Sequence, residues 1–376
     1  MIENPLLTLK TFGQSIWLDT IRRGMLTPGG ELERRIASDG LCGVTSNPAI
    51  FEKAIDGSTD YDDAIRGLAR EGKPLGEIYE TLAVEDVGRA ADMFRKLYDR
   101  TGGTDGFVSL EVSPALAHDT EGTVLEARRL WARLHRPNVL IKVPGTREGL
   151  RAIRELIREG VNVNVTLLFA VARYEEVVDA YLVGLESRAK AGGRIDRVAS
   201  VASFFLSRID VLLDPLLDKD IEAGGPRAEL ARTMHGQIAI DSARVAYQKF
   251  KAILSTPRWR KLTRQGARPQ RLLWASTGTK NPTYSDVMYV EPLIGPDTVN
   301  TLPLETLEAY RAHGKPAARL EEDVAGAERR LRQLSEVGID LAAATQQLED
   351  EGVQKFIEPF NKLLASIDAK RKSALG

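Results

Sequence analysis

The sequence predicts a closed (β/α)8 TIM barrel, with extra helices after the second strand and at the C-terminus. Three observations carry that prediction. Eight short β-branched or apolar runs, each closed by polar, Gly or Pro residues, recur along the chain. Most gaps between them have helical periodicity, and strand then helix, repeated, marks a parallel sheet covered by helices. The units span about 280 residues, close to the roughly 250 of such barrels. An open doubly wound sheet is the structural rival.

The eight strands are expected at Ile16 to Thr20, Gly43 to Ser46, Gly106 to Val112, Asn138 to Val143, Val161 to Leu167, Arg197 to Phe204, Arg271 to Thr277 and Met288 to Leu293. The stretch from Phe51 to Asp105 is longer than one crossover needs and is expected to carry helices over Asp60 to Glu71, Leu75 to Glu80 and Val84 to Tyr98. Thr123 to Leu134 sets Val124, Ala127, Leu130, Trp131 and Leu134 at helical spacing, and Gly149 to Arg158 does the same with Leu150, Ile153, Leu156 and Ile157. After Lys315 the tail is charged and periodic (Val324, Ala327, Leu331, Leu334), which predicts two or three helices packed on the barrel or on a partner. Residues 1–376 therefore read as a single barrel domain, with 316–376 a C-terminal helical extension packed on it. No internal repeat, low-complexity tract or Gly/Ser linker interrupts it.

Composition narrows the function. Hydrophobic residues at 43% and charged residues at 28% give an ordinary globular balance. The formal net charge of -1 supplies no positive field for a polyanion, so no nucleic-acid partner is expected. A single cysteine, Cys42, excludes an internal disulfide framework, and the opening Met1-Ile-Glu-Asn-Pro5 lacks the basic then apolar pattern of a secretion signal. No apolar run of about 18 residues offers a membrane span. A cytoplasmic location is the expectation.

Strand alternation then places polar side chains inside the barrel, where chemistry gathers at the C-terminal strand ends. In Val139-Leu-Ile-Lys-Val143 the outward set is Val139, Ile141 and Val143, which turns Leu140 and Lys142 inward. In Phe107-Val-Ser-Leu-Glu-Val112 the interior parity holds Ser109 and Glu111, and in Val161-Asn-Val-Asn-Val-Thr-Leu167 it holds Asn162, Asn164 and Thr166. Asp19 ends the first strand, Ser46 and Asn47 the second, and Ser203 lies late in the sixth. Each buried polar group costs a few kcal/mol unless partnered, so three neighbouring strands delivering Glu, Lys and an Asn/Thr pair point to a shared purpose. A structural network of buried ion pairs is the alternative.

A lysine in a desolvated interior loses part of its preference for the charged form, and the neutral amine can attack a carbonyl to form a Schiff base. The protonated imine is an electron sink for breaking the adjacent carbon to carbon bond, with no metal or cofactor. The four histidines, His118, His135, His235 and His313, are scattered and none pairs at i, i+2 or i+4, as a metal-dependent site would want. Asp19 and Glu111 are the interior carboxylates for proton traffic, with Thr166 able to hold a shared water. Arg208 after the sixth strand and Lys280 after the seventh are placed to hold phosphate.

These residues fall in motifs of a known family. The chain resembles transaldolases along most of its length, through Leu18-Asp19, Thr45-Ser-Asn-Pro-Ala-Ile50, Val108-Ser-Leu-Glu-Val-Ser113, Leu140-Ile-Lys-Val-Pro-Gly-Thr146, Asn164-Val-Thr-Leu-Leu-Phe169, Val201-Ala-Ser-Phe-Phe-Leu-Ser-Arg208 and Trp274-Ala-Ser-Thr-Gly-Thr-Lys280. The resemblance implies a class I aldolase barrel with Lys142 as the Schiff-base lysine and Asp19 as the acid/base on the C4 hydroxyl. It implies Glu111 and Thr166 as the handlers of the water of imine formation and hydrolysis. Asn47 and Asn164 would bind hydroxyls of a dihydroxyacetone unit, Ser203 and Phe205 would line the channel, and Arg208 would grip phosphate. Ser276 and Lys280 complete the implied substrate-binding set.

The implied reaction moves dihydroxyacetone between sedoheptulose 7-phosphate or fructose 6-phosphate and glyceraldehyde 3-phosphate or erythrose 4-phosphate, in the non-oxidative pentose phosphate pathway. The enzyme would be a monomer or homodimer. This chain departs from the family at two places: Ser203-Phe-Phe205 replaces a common Ser-Pro-Phe, and the second phosphate cation, commonly an arginine, falls on Lys280 at a shifted spacing. Two rival functions are a fructose 6-phosphate aldolase, where an amide is expected in place of Glu111, and a non-catalytic sugar-phosphate-binding barrel.

Overall fold

Strand follows helix around a closed ring in the computed structural model, which describes residues 4–375. Met1 to Glu3, on which the expectation of no secretion signal partly rests, lie outside the described residues. The strands are β1 (Gln14–Leu18), β2 (Gly43–Val44), β3 (Phe107–Glu111), β4 (Val139–Pro144), β5 (Val163–Leu168), β6 (Ser200–Phe205), β7 (Arg271–Ala275) and β8 (Thr298–Leu302). All pair in parallel in sequence order, and β1 pairs with β8, so the predicted (β/α)8 barrel has no sheet edge. β2 is short because it threads a narrow gap. A Cβ at Gly43 would come within 2.6 Å of the Phe107 carbonyl oxygen and 2.7 Å of the Trp17 ring, so glycine alone lets the three strands approach. The adjoining Cys42 bridges the same strands: its amide donates to the Ile16 carbonyl at 2.7 Å and its carbonyl accepts from Gly106 at 2.7 Å.

The eighth strand corrects the sequence reading. Met288 to Leu293 is no strand; it is a turn that ends in a 3-10 helix at Glu291–Leu293, and β8 lies further on at Thr298–Leu302. Pro292 lacks the amide a ladder needs, and the run is apolar for another reason. Tyr289, Val290 and Leu293 are buried as a cover over the outside of the barrel. Neighbouring strands hold that cover by its backbone: Asn300 Nδ2 donates to the Tyr289 carbonyl, and Gln14 Nε2 and Trp274 Nε1 both donate to the Leu293 carbonyl.

Two helix expectations also change. Leu75 to Glu80 and Val84 to Tyr98 are one helix, Leu75–Arg100, because Thr81, Leu82 and Ala83 between them contain no breaker. The preceding helices are Pro48–Asp56 and Asp62–Arg70. The tail forms Val324–Gln333, a 3-10 turn at Leu334–Val337 and the long helix Leu341–Leu375. That long helix crosses Pro48–Asp56, Asp62–Arg70 and Leu75–Arg100 and reaches the end of β5. Among the described residues no helix is long and apolar enough to cross a membrane.

The two ends of the barrel differ. At the N-terminal end Arg271 sits between Asp105 Oδ1 at 3.1 Å and Ser15 Oγ at 2.9 Å, while Ser15 donates to the same Asp105 oxygen at 2.7 Å. Paired charges thus plug the floor. The opposite end carries Lys142, Asp19 and Glu111 around the mouth.

Candidate active site

Lys142 Nζ lies in the barrel interior, 4% exposed, because β4 alternation turns it inward. It donates to the Ser46 carbonyl at 3.0 Å and lies 3.3 Å from Glu111 Oε2. The second contact is electrostatic without the alignment of a hydrogen bond, so both Glu111 oxygens keep lone pairs for another donor. Register explains the meeting: Glu111 pairs with Lys142 across β3 and β4, and Lys142 pairs with Asn164 across β4 and β5. Burial pushes Glu111 above the usual carboxylate range; the Lys142 charge opposes that push, and the charge of Asp19 adds to it.

A polar belt supports the lysine. Ser203 Oγ donates to Asn164 Oδ1 at 2.7 Å, Asn164 Nδ2 donates to Ser109 Oγ at 3.0 Å, and Ser46 Oγ donates to the Ser109 carbonyl at 2.7 Å. The belt fixes Asn164 and Ser46, which in turn fix where the amine points. Thr166 Oγ1 is buried without a hydrogen-bond partner, as are the Glu111 oxygens and Arg208 Nη1. Buried polar atoms of this kind are costly, and four of them, on three residues around one lysine, are what a site that takes up polar groups would keep.

Asp19, just past β1, accepts from Thr45 Oγ1 at 2.7 Å. Burial pushes its carboxyl up; the Thr45 hydroxyl and the charges of Lys142, Lys280 and Arg208 pull against that. Asn47 caps the Pro48–Asp56 helix, its Oδ1 accepting from Ile50 at 3.0 Å, which leaves its NH2 as a donor. Arg208 begins the Ser207–Ala223 helix and lies 5.5 Å from the Phe205 ring centre. Ser276 has a left-handed backbone with φ 54°, and its hydroxyl lies 2.8 Å from that of Ser207.

Together these groups enclose a cavity of about 90 Å³, lined by Asp19, Asn47, Lys142, Thr166, Ser203, Phe205, Arg208 and Ser276. Glu111 and Asn164 adjoin it through Lys142 and Ser203. Lys280 stands elsewhere, in an outer vestibule of about 740 Å³ that shares Asp19 and Asn47 with the cavity. Its loop is anchored by Tyr284 to Asp214 at 2.7 Å and by Tyr289 to Asp210 at 2.8 Å. The four histidines stay apart: His118 meets Glu148, His235 meets Tyr284 and Asp218, His313 meets Asp286, and His135 ends a helix.

Four further residues share these spaces and were missed by sequence reasoning. Thr45, Thr301 and Phe356 line the cavity and Lys53 the vestibule. Thr45 belongs to a quoted motif and could have been found there; Thr301 was hidden by the misplaced eighth strand. Phe356 and Lys53 sit on ordinary amphipathic helices and send no signal.

A lysine, two carboxylates and a set of hydroxyl and amide donors on one cavity suit covalent carbonyl chemistry, and comparison with known proteins agrees. The family described as Transaldolase/Fructose-6-phosphate aldolase matches residues 16–367. The chain belongs to that family. It is 47% identical to Transaldolase 2 of Nostoc sp., over 99% of both chains. It is 46% identical to a transaldolase of Trichodesmium erythraeum, again over 99% of both, and 46% identical to one of Thiobacillus denitrificans over 94% of this chain and 97% of that one. Family membership therefore extends over both the barrel and most of the long helix.

Proposed function

We propose that this chain is a transaldolase that carries a dihydroxyacetone unit on Lys142 between sugar phosphates. The observation that carries this reading is the amine of Lys142, a residue 4% exposed, held 3.3 Å from Glu111 in a cavity that also presents Asp19. The amine attacks C2 of a ketose phosphate, and the oxygen leaves as water, handled by Glu111 and Thr166. Asp19 takes the C4 hydroxyl proton, the C3 to C4 bond breaks, and its electron pair moves into the iminium to give an enamine. The aldose phosphate departs and another enters. The same steps run in reverse, and water frees the new ketose.

Asn47, Asn164 and Ser203 hold the hydroxyls of the bound unit, and Phe205 and Ser276 shape the wall. Arg208 and Lys280 receive phosphate, the first in the cavity and the second in the vestibule. Sedoheptulose 7-phosphate or fructose 6-phosphate would donate, and glyceraldehyde 3-phosphate or erythrose 4-phosphate accept. A carboxylate at Glu111 favours transfer over the release chemistry of a fructose 6-phosphate aldolase. Charged sugar phosphates do not cross a bilayer unaided, which assigns the work to the cytoplasm.

Borohydride added with fructose 6-phosphate should fix a three-carbon adduct on Lys142, read by mass. Lys142→Ala should fold and take no adduct. An unchanged mass in the unaltered protein would turn the reading toward a non-catalytic sugar-phosphate binder.

A further inference from the structure

One part of the cavity wall comes from outside the barrel. Phe356, on the long helix, is 4% exposed and lines the same space as Lys142. Its ring centre is 5.9 Å from Lys142 Nζ and 5.7 Å from the guanidinium carbon of Arg208. It also lies 6.5 Å from the ring centre of Phe205. Phe356 thus neighbours both the amine proposed to hold C2 and the cation proposed to hold phosphate, and a carbon chain joining those two groups would run beside its ring.

The placement is built. A Cβ at Gly352, one turn earlier, would stand 3.0 Å from Leu167 Cδ2 and 3.6 Å from Arg208 Nη1, so the glycine lets the helix settle onto the ends of β5 and β6. Leu167 itself is buried with a left-handed backbone, φ 61°, at the register shift of β5. On either side of Phe356 the helix is tied down. Glu349 lies 3.3 Å from Arg173 Nε, and Lys370 donates to Asp62 at 2.6 Å and to the Ser58 carbonyl at 2.9 Å.

After the first aldose departs, the enamine on Lys142 has two fates. In transfer, its electron pair forms a bond from C3 to the acceptor aldehyde carbon, the aldehyde oxygen takes the proton held by Asp19, and the iminium returns. In release, C3 takes a proton from water; the hydroxide left behind adds to C2, and the carbinolamine expels the Lys142 amine to give free dihydroxyacetone. One water is consumed. The outcome depends on whether an aldose or a water reaches C3. An apolar ring in a cavity of about 90 Å³ offers water no hydrogen-bond partner.

Building on the proposed transfer reaction, we propose that Phe356 is a specificity-determining residue that keeps water from the enamine and so favours transfer over release of free dihydroxyacetone. Phe356→Ala and Phe356→Leu in the full chain, supplied with fructose 6-phosphate and erythrose 4-phosphate, test it through the ratio of free dihydroxyacetone to transferred product. The ratio should rise at least about tenfold in the alanine variant and less in the leucine variant. Borohydride should still fix the adduct on Lys142 in both, so failure of trapping in the unaltered protein would indict the reaction and not Phe356. Phe356→Leu keeps an apolar side chain in the helix and decides the matter if the alanine variant does not fold. Both rates falling together at a constant ratio, in whichever variants fold, would overturn the proposal.

Discussion

Asp19 owes its poise to one hydroxyl. Thr45 Oγ1 donates to Asp19 Oδ1 at 2.7 Å and shares a second 2.7 Å contact with Thr301, so the donor is itself fixed. Burial pushes the carboxyl up, and this hydrogen bond is the foremost influence drawing it back. A bond donated to the ionised form lowers a carboxyl pKa, so losing it raises the pKa further. In the proposed reaction Asp19 must be ionised to accept the C4 hydroxyl proton, so activity should be lost as pH falls through its pKa. In Thr45→Val the acid limb of kcat/KM should move up by about one pH unit, from the strength of a hydrogen bond to a charged group. A limb that stays in place in the pH profile would remove Thr45 from this role. Lys142, Glu111, Asn164 and Thr166 could be read from the sequence because alternation along a strand turns a polar residue inward wherever apolar neighbours mark the other face. Phe356 could not: an apolar residue on an amphipathic helix looks the same whether it meets the core or a substrate.

Elements with a clean alternation or period were legible, and β3, β4 and β5 lie close to where the residues put them. β8 was not. Thr298-Val-Asn-Thr-Leu302 carries three polar residues; Thr298 bonds to the Gly295 carbonyl just before the strand, and Asn300 to the Tyr289 carbonyl of the segment that replaces a helix on that side. That segment, Met288 to Leu293, took the apolar residues and so took the expectation with it. The helices of the tail depend on charge as well as on apolar faces. Arg330, on Val324–Gln333, makes two 2.7 Å bonds to the buried Asp241 of the Ile238–Leu254 helix. Arg330→Met alone strands a buried carboxylate and should cost about 3 kcal/mol in urea unfolding, whereas Arg330→Met with Asp241→Leu should recover much of the loss. Equal destabilisation by the single and the double variant would mean that packing, and not charge, holds the helix there. Activity per folded molecule should be unchanged in both, since neither residue lines the cavity.

At the scale of the whole molecule, the ring of eight strands separates a floor that holds the Arg271–Asp105 pair from a mouth that holds Lys142, Asp19 and Glu111, and the long helix spans several of the helices around it. Polar residues occur at both ends, but the charged groups at the floor, Arg271 and Asp105, are paired with each other and with Ser15, while at the mouth Glu111, Thr166 and Arg208 keep polar atoms without a hydrogen-bond partner. Sequence alone gives no means of telling these two kinds of buried polarity apart. Closure also leaves a mark on the single thiol. Cys42, 3% exposed where β1, β2 and β3 join, has its pKa pushed up to about 12, chiefly by burial. Thiol reagents act on exposed thiolate, so the native protein should resist alkylation and denaturant should make it reactive. Rapid labelling of native protein, followed by mass, would contradict this. The chain thus contains its own gauge of barrel opening: with 1 cysteine in 376 residues, every alkylated molecule is one whose first three staves had parted.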